Sequence, residues 1–323
     1  MNGFIGFWER EKRGEGMLWN TSELLRQFDW MTLWSPFFGL LMVGLYVLYA
    51  VVTEKMAKRG YESTTLLQKF SMLFAIVLYY IGFGSPVDVF AHIIFSVHMF
   101  QMVLVYVLAP ALVVYGLPYW VFEKLFSYKV IGPTLRFMTK PLIALILFNA
   151  LFTLYHMPFI FDYVLTNYGV HRIFHGALVV FSLTMWYPVI APFISEDEEG
   201  MSDLKRMVYI IANGVLLTPA CALIIFSHNI LYDAYTDVET FATVLGYCMP
   251  NGDVSGLDLN ALMGATNSAL EDQRFGGVLM KLGQELVYGF FFGWTFFGWV
   301  RRTKSLALEE GMSFSPQEQQ EKK

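Results

Sequence analysis

The chain is short of charge and of cysteine. Of its 323 residues only 15% are Asp, Glu, Lys or Arg, where a soluble domain carries about 25%. Two cysteines, Cys221 and Cys248, are too few for a disulfide framework. There is no CxxC pair, no CxxCH for covalent haem, no serine elbow and no phosphate-binding glycine loop, so the chemistries those motifs serve have no foothold here. The net charge of −5 comes without a domain-scale basic face, and nucleic acid is not expected as a partner. No cleavable leader is expected either. The first thirty-three residues are mixed in charge (Glu9, Arg10, Glu11, Lys12, Arg13, Glu15) and lack an apolar core with a small-residue cleavage site. The first apolar run is therefore expected to insert the chain and to stay in it.

What the chain has in quantity is apolar surface, 56% of residues, with 17% aromatic. Unbroken apolar stretches near twenty residues match the thickness of a bilayer. A backbone in lipid must satisfy its own hydrogen bonds, and the ten-residue alternation of barrel strands is absent, so the spans are helices. The pattern predicts an all-α polytopic membrane protein with seven helices, at about 34–52, 66–84, 91–116, 141–160, 169–190, 207–227 and 279–300. Residues 1–33 form an extracytoplasmic segment, 34–303 the membrane domain, and 304–323 a polar cytoplasmic tail expected to be disordered.

Lys and Arg set the orientation. One alternate set of connections holds fourteen basic residues: Lys55, Lys58, Arg59, Lys124, Lys129, Arg136, Lys140, Lys205, Arg206, Arg301, Arg302, Lys304, Lys322 and Lys323. The other holds five: Arg10, Lys12, Arg13, Arg26 and Arg274. The N-terminus is predicted outside and the C-terminus in the cytoplasm of a cell-membrane protein. The outer connection 228–278 carries seven acids against one arginine. A loop of that length is functional or holds short helices of its own, and its field either concentrates cations or is a solvated surface.

With that orientation all six histidines, His92, His98, His156, His171, His175 and His228, fall in the outer half of the membrane or just beyond it. On the third helix His98 and Met102 lie four apart on one face, flanked by Gln101, with His92 nearer the surface on another face. Imidazole with thioether suits cuprous copper; the alternative is a packed polar residue with methionine as filler. His171 and His175, also four apart, share a face as two ligands of one metal do. The bland reading is a snorkelling His171 and a His175 bonded to a carbonyl. His156, followed by Pro158, is either a ligand or the cap of a helix that the proline bends. Asp162 either orients a histidine or is a loop acid.

Cys221 lies seven residues from His228 on the sixth helix, as a soft ligand or as apolar filler. Cys248-Met249 offers a pair of sulfurs in the outer loop. On the seventh helix Glu285, next to Gln284, needs a partner, for which an outer histidine is the expected choice. Gly289 and Gly293 make a small-residue face for close packing within or between chains, which permits a homodimer. Trp186-Tyr187-Pro188 reads as an aromatic belt at the inner end of the fifth helix.

These residues carry a family resemblance. Phe95-Ser96-Val97-His98-Met99-Phe100-Gln101-Met102, followed by Ala109-Pro110-Ala111 and Gly116-Leu117-Pro118, resembles the third-helix motif of the polytopic CtaG-type cytochrome c oxidase assembly factors. So do Tyr155-His156-Met157-Pro158 with Asp162, the pair His171 and His175 leading to Trp186-Tyr187-Pro188, and Leu270-Glu271-Asp272-Gln273-Arg274-Phe275-Gly276-Gly277. The matches run in order over residues 90 to 300. The resemblance implies a seven-helix protein that serves maturation of a copper-containing oxidase, its partner being the subunit with the binuclear copper centre. Many relatives carry a second histidine after the glutamine, where this chain has Met102.

The leading expectation is a non-enzymatic factor holding Cu(I) at His98, His156, His171 and His175, with Met102 and Cys221 as soft auxiliaries. Gln101, Asp162, Asp272 and Glu285 would support those ligands. A haem-bearing oxidoreductase with His98 and His175 as axial ligands is a second class. A copper transporter is a third, weakened because the cytoplasmic half holds neither histidine nor cysteine.

Overall fold

The computed structural model describes residues 25–194, 201–266 and 268–313. All the α-helices and short helical turns among them pack into one bundle with a structured cap at one end. In chain order the helices are α1 (Trp30–Trp34), α2 (Pro36–Ala57), α3 (Leu66–Gly84), α4 (Pro86–Ala91), α5 (Phe95–Gly116), α6 (Tyr119–Ser127), α7 (Ile131–Met138) and α8 (Pro141–Tyr155). They continue as α9 (Pro158–Thr166), α10 (Tyr168–Ile194), α11 (Asp203–Phe226), α12 (Val238–Gly246), α13 (Leu259–Met263) and α14 (Ala269–Ser313). The chain is a multi-pass membrane protein.

By length and apolar composition five helices qualify as spans: α1 with α2, then α3, α5, α10 and α11. A sixth is α8, counted together with α7, which meets it at a bend of 82°. The predicted seventh, 279–300, lies within α14 but does not qualify, because glycine, tryptophan, Gln284 and Glu285 dilute its aliphatic content. α14 nonetheless packs along α11 and α5. It also continues past Thr303, the expected end of regular structure, to Ser313. The predicted tail beyond Ser313 and most of the N-terminal segment lie outside the described residues.

Local chemistry explains the breaks. α3 opens with a capping box: Thr65 Oγ1 accepts from the Gln68 backbone N–H at 3.2 Å and Gln68 Oε1 accepts from the Thr65 N–H at 2.8 Å. Ser85 caps α4, whose first residue is Pro86. The predicted third helix does not begin at residue 91. α4 ends at Ala91, Ile94 is extended, and α5 starts at Phe95, so His92 sits at the C-cap of a separate helix. The N-terminus of α5 is secured by Asp272, whose carboxylate accepts from the Ser96 N–H at 3.2 Å. This supplies an acceptor to one of the four unpaired donors of a helix start.

Pro158 does not bend a continuous fourth helix. α8 ends at Tyr155 with His156 as its C-cap, and Pro158 becomes the first residue of α9. Proline lacks the N–H that a continuing helix needs. In α5 the residues Leu104–Leu108 form a π turn just before Pro110. The carbonyl of Val107 there accepts the indole N–H of Trp186 at 2.8 Å. Trp186 is thus fully buried, and it is a core residue where a belt position was predicted.

α5 is the most buried span and α1–α2 the least. α5 packs against α3, α10 and α14. Close approach to α14 depends on Gly276, where an added Cβ would meet Phe95 at 2.9 Å and Met99 at 3.0 Å, and on Gly283, where it would meet Val103 at 2.9 Å. Gly289 and Gly293, the predicted close-packing face, have nothing within 4 Å and stand open.

Two ends of the bundle are distinct. At one, Asp203 at the start of α11 pairs with Arg302 at 2.7 Å and with Arg206 at 3.2 Å. At the other, the predicted long loop folds over the helix ends, carrying a 3₁₀ turn at Asp233–Tyr235, α12 and α13. It is stapled by its side chains: the Tyr232 hydroxyl donates to the His156 carbonyl at 2.9 Å and the Tyr235 hydroxyl to the Ala91 carbonyl at 2.8 Å. Gln273 Oε1 accepts from the Leu231 N–H at 2.7 Å.

Candidate functional site

Beneath that cap, five of the six histidines converge. They come from four places in the chain: the C-cap of α4, the first turn of α5, the C-cap of α8 and the first two turns of α10. Their shared level follows from the antiparallel run of the helices.

His171 and His175 face each other across one helical turn with ring centroids 4.1 Å apart and nearly parallel planes. This is the arrangement their spacing predicts. His92 lies beside His171 at 6.2 Å. Deeper in, the Nε2 atoms of His175 and His98 each lie 3.3 Å from the Tyr155 hydroxyl. The other nitrogen of His175, Nδ1, pairs with the hydroxyl of Tyr106, which stands in the π turn of α5. A column of imidazoles and phenols therefore runs from half-buried His92 and His171 to buried His175 and His98. Phe83 and Phe161 close its sides, edge-on to His175 and His98.

Several ring nitrogens are fixed by backbone carbonyls. His92 Nδ1 donates to the Asp88 carbonyl and His156 Nδ1 to the Phe152 carbonyl, both at 2.7 Å. Each bond points an Nδ1–H at a carbonyl, and on His156 it leaves Nε2 as the free lone pair, the usual second-shell device of ligating histidines. His156 Nε2 is buried and unpartnered, as is His171 Nδ1. A buried polar atom without a partner costs about 1–3 kcal/mol, and two such atoms stand beside one column.

His92, which lies outside the spans, has a further neighbour. Burial works against its protonated form, but Cys248 and Asp88 beside it outweigh that and raise its pKa to about 10. Asp88 in turn accepts from Gln101 Nε2 at 2.9 Å, and the same nitrogen donates to the Gly82 carbonyl at 2.6 Å. Gln101 thus braces the residue that orients His92. Cys248, which reaches the column from the end of α12, was legible only as half of an isolated sulfur pair.

Other predicted residues sit elsewhere. Met102 is fully buried in the apolar core, one turn beyond His98. Cys221, a free thiol, lies on α11 within electrostatic reach of Lys281 and Glu285. His228 is exposed, past the end of α11 at Phe226, so it shares no helix face with Cys221. Asp162 accepts from the backbone N–H groups of Asp233 at 3.2 Å and Ala234 at 3.1 Å, pinning the cap to α9. Asp272 holds the start of α5. Glu285 pairs with Lys281, one turn earlier on its own helix, at 2.6 Å; the expected histidine partner is too far toward the cap.

Among the described residues no three of His, Cys, Asp and Glu are placed to hold one metal ion together. The column offers donors singly and in pairs.

The model of the cytochrome c oxidase caa3 assembly factor family matches residues 47–302. No curated protein and no solved structure matches the chain. The chain belongs to the caa3 assembly factor family, and its role lies in assembly of that oxidase.

Proposed function

We propose that this caa3 assembly factor holds cuprous ion as cargo in the imidazole column and passes it to the binuclear copper centre of an oxidase subunit. The observation that carries the reading is the column itself, with unpartnered nitrogens on His156 and His171. Zinc would require about four ligands in a closed site. Cuprous ion is content with two soft or borderline donors, and thiolate, thioether and imidazole are the ligands it selects. Donors arranged in pairs also leave coordination positions open, so an ion moves by ligand exchange and no catalysis is needed.

On this reading His171, His175, His98 and His156 are the inner ligands. His92 with Cys248 forms the mouth, Gln101 and Asp88 brace it, and Asp162 holds the cap over it. Met102 stands as a soft auxiliary below His98. Cys221, buried on α11 near Lys281 and Glu285, is not part of the column. The positive-inside asymmetry directs the histidine end outward from the cell membrane, where an oxidase copper domain would receive the ion.

Haem ligation by His98 and His175 is disfavoured, because the Tyr155 hydroxyl occupies the place between their Nε2 atoms. Anaerobic cuprous titration of the purified protein tests the proposal beside His98→Ala, His171→Ala and His175→Ala. Wild type is expected to bind and the variants to lose affinity; unchanged binding in all three would remove the site. A Soret band in the same preparation would restore haem.

A further inference from the structure

At the end of the bundle away from the cap, the chain between α5 and α8 forms a helical hairpin, α6 with α7. α7 meets the spanning α8 at 82°, so it lies nearly in the plane of the membrane, at the level where α5 ends and α8 begins. The hairpin is tightly closed. The Arg136 guanidinium on α7 donates to the Phe126 carbonyl on α6 at 2.9 Å, and the Gly132 N–H donates to the Tyr128 carbonyl at 2.8 Å. An added Cβ at Gly132 would collide with the Phe126 carbonyl, so the closure depends on glycine.

The closed hairpin turns apolar side chains outward. Val130 at its tip is 84% exposed, and Tyr128, Ile131 and Phe137 are each more than half exposed. Four large apolar groups bare on one short element mark an interaction surface. Val130 and Phe137, seven positions apart, share a side of the helix. Lys129 and Arg136 form the row beside them, and Lys140 extends it; all three are exposed. No described carboxylate pairs with any of the three. Lys124 is engaged elsewhere, with its ammonium 4.5 Å from the centre of the Tyr61 ring and 5.1 Å from that of Trp120. Between Leu117 and Lys140 the sole acid is Glu123.

An apolar row beside a cationic row, on a helix lying along the membrane, is the pattern of an interfacial helix. The apolar row enters the acyl boundary while the cations stay at headgroup level. Three cations without carboxylate partners favour a headgroup of net negative charge over a zwitterionic one.

We propose that the α6–α7 hairpin is a binding surface for anionic phospholipid, with Val130 and Phe137 among the acyl chains and Lys129, Arg136 and Lys140 at the headgroup phosphates. The inference is independent of copper binding.

Photo-crosslinking of the full chain tests this in nanodiscs of equal phosphatidylglycerol and phosphatidylcholine. Benzoylphenylalanine replaces Val130, or Phe37 as a control that is exposed on α2 near the cap end. Mass spectrometry then identifies the adducts. At position 130 phosphatidylglycerol adducts should exceed phosphatidylcholine adducts about tenfold, against an even yield at Phe37. Lys129→Gln/Lys140→Gln should bring the ratio at position 130 close to even, and Lys129→Arg/Lys140→Arg should preserve it. The first ratio is read with all three cations in place, so it stands whatever the variants do. Even yields there, no lipid adduct, or an undiminished ratio in the glutamine variant would overturn the proposal. So would an adduct to another protein or to a second copy of this chain when the same position is crosslinked in intact membranes.

Discussion

His98 and His175, on different helices, are joined through a single atom, the hydroxyl oxygen of Tyr155 at 3.3 Å from each Nε2. One phenol has one proton. If Tyr155 donates to His98, then His175 donates to Tyr155 and accepts from Tyr106; the reverse polarity is the only other consistent arrangement. Removing the hydroxyl therefore strands nitrogens on both sides.

Tyr155→Phe is expected to destabilise the protein by about 1–3 kcal/mol, the cost of buried groups left unpaired. Denaturation in detergent with and without cuprous ion measures it. The copper-bound form should recover most of the loss, because a ligand that binds only the folded state stabilises it.

Asp162→Ala should act on the cap and leave the bundle intact. Two backbone donors, on Asp233 and Ala234, lose their acceptor. Amide hydrogen exchange over residues 231–236 is expected to quicken at least about tenfold, a local loss of about 1.4 kcal/mol or more, while exchange in α5 stays unchanged.

If the column takes copper as proposed, His92 is expected to make its uptake pH-dependent. Its pKa is raised in the fold to about 10, so at neutral pH a proton competes with the metal for Nε2. Affinity should rise with pH across the range 6 to 9, and His92→Ala should flatten the slope. The linked stability has the opposite sense. The contribution of His92 to folding is complete below its unfolded pKa of about 6.5 and fades as pH climbs through about 10.

Two glycines of α14 should respond oppositely to a methyl group. Gly276→Ala forces a Cβ to 2.9 Å from Phe95 and 3.0 Å from the Ser96 backbone, and overpacking of this kind costs about 1–3 kcal/mol. Gly289→Ala meets nothing and is expected to leave thermal stability unchanged or slightly raised through helix propensity.

Lys281→Met should cost more than the double variant Lys281→Met/Glu285→Gln. The single change leaves the half-exposed Glu285 carboxylate without its ion partner, and the second change relieves it. A double-mutant cycle in detergent unfolding reads the coupling.

Much of this organisation was legible in the residues. The apolar runs announced a helical membrane protein, and the spacing of His171 and His175 announced two rings on one face. What escaped was the consequence of contacts distant in sequence. Nothing local shows that Tyr155 would stand between His98 and His175, or that Cys248 would fold back onto His92. Trp186 read as an interfacial residue because its partner, the Val107 carbonyl, is freed only by a π turn ahead of Pro110. Glu285 was matched to a histidine because charge was expected to seek the distant site, while Lys281 waited one turn away. The α4–α5 break escaped for the same reason: Asp272, which secures the start of α5, lies far down the chain.

α14 is a single rod of 45 residues, about 67 Å long against a hydrocarbon layer of about 30 Å. One end, through Asp272, grips the first turn of the helix that carries His98; the other projects well clear of the bilayer beyond Arg302. Such a strut ties the far tip to the histidine end, so that a displacement there would be felt first at the turn that carries His98.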